Sequence, residues 1–96
     1  MASEARRRTI LGTGNTAGTL DATADEITLA AGQRFLVWAD QGYMIEVQST
    51  TGFTMGANPV RLPAEYVFDI ETGNSAMYLQ IKRIDTDGNY YINRVG

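Results

Sequence analysis

The residues whose types and spacing could do chemistry are few. Asp85-Thr86-Asp87-Gly88-Asn89 sets two carboxylates at alternate positions ahead of a glycine. Calcium loops begin this way, because hard oxygens must converge around a sharp turn. A complete loop of that kind closes on a bidentate Glu, whereas the residues after Asn89 run straight into an alternating strand, so the segment reads as a turn. Asp40, Glu46, Asp69 and Glu71 could supply the two carboxyl groups that glycoside hydrolysis holds at a defined separation. Nothing in their spacing brings any two together, and acids on the solvent face of strands are the expectation. Trp38, Tyr43, Tyr78, Tyr90 and Tyr91 could form a stacking platform for a sugar, Tyr78 foremost because it falls on the polar face of its strand. In a sandwich, however, aromatics are mostly core or packed edge, and that is the expectation here.

What is missing narrows the chemistry further. The 96 residues include no cysteine and no histidine. Disulfides, thiolate metal sites and a Cys nucleophile are thereby excluded, along with the commonest general base and transition-metal ligand. The expectation is a chain with no catalytic residue, no metal ligand set and no cofactor. Gly12-Thr13-Gly14-Asn15-Thr16-Ala17-Gly18 echoes a dinucleotide fingerprint, but no strand pattern precedes it and no helical pattern follows. The net charge is −3, and the basic residues cluster only at Arg6, Arg7 and Arg8. No nucleic-acid groove is implied, although these arginines could touch phosphate or an acidic patch on a partner. No apolar run is long enough for a membrane helix, and no signal-type apolar stretch follows the first residues, so synthesis in a cytoplasm is expected.

The elements that would position these residues are strands. Met77, Leu79 and Ile81 alternate with Tyr78, Gln80 and Lys82, and Tyr90 to Val95 is aromatic and β-branched. A period of two puts alternate side chains on one face. Asp85 to Asn89 between them predicts a hairpin, with Gly88 and Asn89 accepting positive φ. Arg34 to Ala39 and Tyr43 to Gln48, joined by Asp40-Gln41-Gly42, predict a second hairpin. Glu26 to Ala30 and Glu65 to Glu71 also alternate, with Tyr66, Phe68 and Ile70 sharing a face. Phe53 to Met55 allows a short strand. The segment Asn58 to Pro63 holds both prolines and reads as a crossing piece at an edge.

Six to seven short strands with turn signals between them predict an all-β fold, a small antiparallel β-sandwich or partly open barrel. That domain spans 26–96. Residues 1–25 are rich in Gly, Thr and Ala and bury too little to fold alone. They read as an N-terminal arm, flexible or ordered by a partner, with Arg6, Arg7, Arg8, Ile10, Leu11 and Leu20 as its partner-binding residues.

Two stretches carry a family resemblance: Glu26-Ile27-Thr28-Leu29-Ala30-Ala31-Gly32-Gln33, and Gly73 to Leu79 with Tyr90 to Gly96. With the glycine-rich arm, they resemble the small β-structured virion proteins of tailed bacteriophages, most of all capsid decoration (cement) proteins. The resemblance implies a non-enzymatic structural protein on the capsid surface of the virion. Its partner would be the major capsid protein, and it would be a homo-oligomer, most naturally a trimer, that stiffens the assembled shell. Other phage virion components, or a carbohydrate- or partner-binding sandwich, are the alternatives.

Overall fold

The computed structural model describes residues 8–11 and 15–95. Within them the chain forms β1 (Arg8–Leu11), β2 (Asn15–Leu20), β3 (Asp25–Leu29), β4 (Arg34–Ala39), β5 (Tyr43–Gln48), β6 (Val60–Leu62), β7 (Phe68–Glu71), β8 (Met77–Arg83) and β9 (Gly88–Val95). The described residues contain no helix. The fold is all-β, as the alternation predicts, with more strands than the six or seven expected.

The strands make two sheets. Sheet A has the order β1-β3-β8-β5-β6 and sheet B the order β2-β9-β4-β7. All pairs are antiparallel except β1 with β3, which is parallel. Apart from β1, four antiparallel strands face four. Consecutive strands alternate between sheets everywhere except at β5–β6, the winding of a jelly roll.

This winding corrects both predicted hairpins. β8 lies in sheet A between β3 and β5, while β9 lies in sheet B between β2 and β4. Likewise β4 and β5 belong to opposite sheets. The Asp85–Asp87 and Asp40–Gly42 turns therefore cross the sandwich and do not pair their flanking strands. Gly88 is needed for closeness, not for positive φ. A Cβ there would collide with the Asp40 carboxylate and the Gln41 side chain. Asp40 Oδ1 accepts the Asn89 N–H at 2.8 Å, which locks the two crossings together.

The N-terminal assignment also changes. Residues 8–11 and 15–20 are strands of the two sheets, and Leu20 is fully buried in the core. Composition misjudged this stretch because an edge strand gains its main-chain partners from a neighbour, whatever its own apolar content. Register pairs Ala17 with Tyr91 and Gly18 with Tyr90, small residues against large ones. A Cβ on Gly18 would collide with the Tyr90 hydroxyl and the ring edge that bears it. Arg6 and Arg7 lie outside the described residues. Arg8, Ile10 and Leu11 are described as backbone of β1 only.

The inner faces follow the period of two. Ile27 and Leu29, Phe35, Val37 and Ala39, Tyr43 and Ile45, Leu79 and Ile81, and Tyr90 and Ile92 all point inward and are essentially inaccessible. Burying each large apolar side chain contributes roughly 1.5–3 kcal/mol. A buried polar link joins the sheets across this core: the Tyr90 hydroxyl of sheet B donates to Asp25 Oδ2 of sheet A at 2.8 Å.

Candidate functional surfaces

Among the described residues the inward-facing side chains form one buried hydrophobic cluster. On sheet A the register sets Glu26, Gln80 and Glu46 in one row across β3, β8 and β5, pointing outward. Glu26 and Gln80 are nonetheless fully buried. The β5–β6 connection, residues 49–59, folds back over them. Glu26 accepts from the Thr51 hydroxyl at 2.9 Å, from the Gly52 N–H at 3.0 Å and from Gln80 Nε2 at 3.0 Å. Gln80 Nε2 also donates to the Phe53 carbonyl. Glu46 accepts from the Gly56 N–H at 2.8 Å and from Gln48 Nε2 at 2.5 Å. Met55, within the same connection, is itself buried. Gly52 takes φ 74° there, a conformation that favours glycine. Phe53 to Met55 is thus part of a roof and not a strand.

One end of the sandwich is closed by Pro63–Val67. The Tyr43 hydroxyl donates to the Tyr66 carbonyl and lies 3.3 Å from the Val37 carbonyl. Burial, with the Tyr66 phenol nearby, pushes the Tyr43 hydroxyl pKa up to about 12. Glu65 N–H donates to the Ala39 carbonyl at 2.7 Å, with Glu65 at φ 65°. Tyr66 is 50% exposed and Val67 48%, so the strand predicted from Glu65 shortens to Phe68–Glu71. This connection joins β6 to β7, the terminal strands of sheets A and B, and Pro59 and Pro63 bracket β6 as edge residues.

Among the described residues no connection folds over the outer face of sheet B, where Trp38 and Tyr91 are half-buried. Trp38 and Tyr91, cross-strand neighbours on β4 and β9, stack with ring centroids 4.4 Å apart and planes 27° apart. On the other side of Tyr91 the register places Ala17, and one step along it pairs Thr19 with Asn89. Toward the β7 edge, Arg34 grips Asp69, Nε donating to Oδ1 at 3.0 Å and to Oδ2 at 3.2 Å and Nη2 to Oδ2 at 2.6 Å. The Arg34 guanidinium holds the Asp69 carboxyl below the usual carboxylate range.

The residues singled out in the sequence therefore scatter. The aromatics separate: Tyr43 and Tyr90 enter the core, Tyr78 lies on the outside of sheet A between Thr28 and Gln48, and only Trp38 and Tyr91 meet. Asp40, Glu46 and Asp69 each serve a separate structural bond, and Glu71 is exposed. Asp87 is taken by Arg83 at 2.8 Å. Among the described residues no three acids gather as a metal site would require. Sequence reasoning missed Glu26 and Gln80, whose alternation marks them as solvent-facing; only the returning roof buries them.

No protein-family model matches the chain, and no curated protein matches it. Among solved structures it is similar to a de novo designed double-stranded β-helix studied by solution NMR, at 17% identity and TM-score 0.66. The match covers 86% of this chain and 100% of that one. The likeness speaks to the fold alone, since one fold hosts many functions.

Proposed function

We propose that this protein is a non-enzymatic structural module that binds an assembled protein lattice by surface contact, the capsid-decoration role implied by its family resemblance. The observation that carries the reading is the β6–β7 side. There, the free edges of both sheets flank a connection that exposes Tyr66 and Val67, with Val60 47% exposed at the start of β6. Unpaired strand edges offer main-chain donors and acceptors, and exposed apolar side chains beside them add contact without special chemistry. The inward-facing side chains of the described residues form one hydrophobic cluster, which supports a role played at the surface. A ligand that binds only the assembled lattice stabilises it at every site by mass action.

The test is co-sedimentation of the full chain with assembled tailed-bacteriophage shells, paired with its solution mass. Saturable binding and a trimeric mass are expected. The double variant Tyr66→Ala/Val67→Asp, altered only at exposed positions, should weaken binding by about tenfold or more. A chain that stays in the supernatant, or a double variant that binds as tightly as the parent, would rule the proposal out.

A further inference from the structure

The row of side chains that crosses the outer face of sheet B is one member short. Tyr91 and Trp38 stand side by side on adjacent strands, their centroids 4.4 Å apart, close to the spacing of the strands themselves. The next place in that row belongs to Ala17 of β2, whose methyl group cannot fill it. A slot of about 500 Å³ results, lined by Ala17, Gly18, Thr19, Asn89 and Tyr91. One face of Tyr91 is covered by Trp38 and the other looks into the slot. Because β2 is the edge strand of sheet B, the slot is open at its side.

Its rim is polar and uncharged. Thr19 and Asn89, exposed cross-strand partners, flank the aromatic row. The Asn89 main chain is held at both ends, its N–H donating to Asp40 Oδ1 at 2.8 Å and its carbonyl accepting from the Asp40 N–H at 3.0 Å. Its carboxamide only reaches Asp40 Oδ2 at 3.5 Å, so it can turn to a ligand. A hydroxyl and a carboxamide together donate and accept, which suits a ligand made of hydroxyl groups. The lining carries no cation, the Asp40 carboxylate is bonded to Asn89 beside it, and the chain is net negative. That balance disfavours phosphates, nucleic acids and acidic sugars.

We infer that this slot binds a neutral pyranose ring of a glycan. The apolar face of the sugar stacks on the free face of Tyr91, and its hydroxyl groups bond to Thr19 and Asn89. Trp38 holds the tyrosine ring upright in advance, so little side-chain freedom is lost on binding. The site is independent of the lattice contact proposed above, because β2 and β7 are opposite edges of sheet B.

The experiment is an NMR titration of the full chain with soluble neutral oligosaccharides of glucose, galactose, mannose and xylose, with an oligothymidylate as comparator. The fluorescence of Trp38, the single tryptophan, is followed in parallel. A sugar should shift amides at Ala17 to Thr19 and Asn89 to Tyr91 and perturb the fluorescence. Tyr91→Phe should keep binding, whereas Tyr91→Ala should lose it by about tenfold or more. Ala17→Phe, at an exposed position, should fill the slot and abolish binding with the melting temperature unchanged, which keeps the test decisive if Tyr91→Ala folds poorly. No response to any sugar, shifts elsewhere, a response to the oligonucleotide alone, or undiminished binding by Ala17→Phe would each overturn the assignment.

Discussion

The two outer faces of the sandwich have been put to opposite uses. Sheet A carries a row of long polar side chains and then hides it under the 49–59 connection, so Glu26 and Gln80 become a second, polar interior. Sheet B carries two stacked aromatics beside small residues, and among the described residues no connection folds over them. A face that is roofed stabilises the fold and can recognise nothing, whereas an open face with a rigid aromatic is ready to take a partner. A small roll has only two such faces, and here one is committed to stability.

Breaking the roof should have the largest effect. Glu26→Ala removes the acceptor of the Thr51 hydroxyl and the Gly52 N–H and one of the two acceptors of the Gln80 amide. It should cost about 3 kcal/mol, seen in denaturant melts, and make residues 49–59 the first site of proteolysis. The sheet B face of the folded variant should keep its Trp38 fluorescence. An unchanged stability would mean that the roof is ornamental.

A second test separates the closed end from both faces. Tyr43 holds its proton in the folded state up to about pH 12, while an unfolded tyrosine releases it near pH 10. A raised folded-state pKa contributes stability that is complete below about pH 10 and is lost as the pH climbs toward about 12. Denaturation across that window should show a loss of about 2 kcal/mol that Tyr43→Phe does not share. A parallel decline in both proteins would assign the effect elsewhere.

On sheet B the expected effects shrink. Gly18→Ala drives a methyl against the Tyr90 hydroxyl and ring edge and should cost about 1–2 kcal/mol by melting, since the ring can move only by disturbing its bond to Asp25. Smallest of all is Asp69→Asn. The Arg34–Asp69 pair is half exposed and screened by solvent, so the midpoint of a thermal melt at physiological salt should not move measurably. The lowered Asp69 pKa means that what the pair does contribute is present above the ordinary carboxylate range and fades as the pH falls through the lowered value. A clear destabilisation at neutral pH would show that sheet B depends on its rim as sheet A depends on its roof.

How far residues alone lead differs from segment to segment. Phe35, Val37 and Ala39, or Leu79 and Ile81, declare their inward face by alternation, and the structure buries them as alternation requires. Glu26 and Gln80 alternate just as cleanly and point away from the core, yet they are buried because a loop many residues distant returns over them. Trp38 and Tyr91 lie far apart in the chain and meet only because β4 and β9 are neighbours. The Asp85–Gly88 turn shows the same limit. Its residues announce a reversal but say nothing about whether the strands on either side pair or part, because that depends on the partners each strand finds.

The amino-acid order by itself determined the all-β class and the inward rows, because a period of two is a local property of a pleated chain. It also determined which chemistries are impossible, since no fold creates a histidine or a cysteine. Tertiary structure decided the pairing of strands across two sheets, the roof on one face and the bare aromatic row on the other. Each of these rests on contacts between residues tens of positions apart, and no local pattern encodes such contacts.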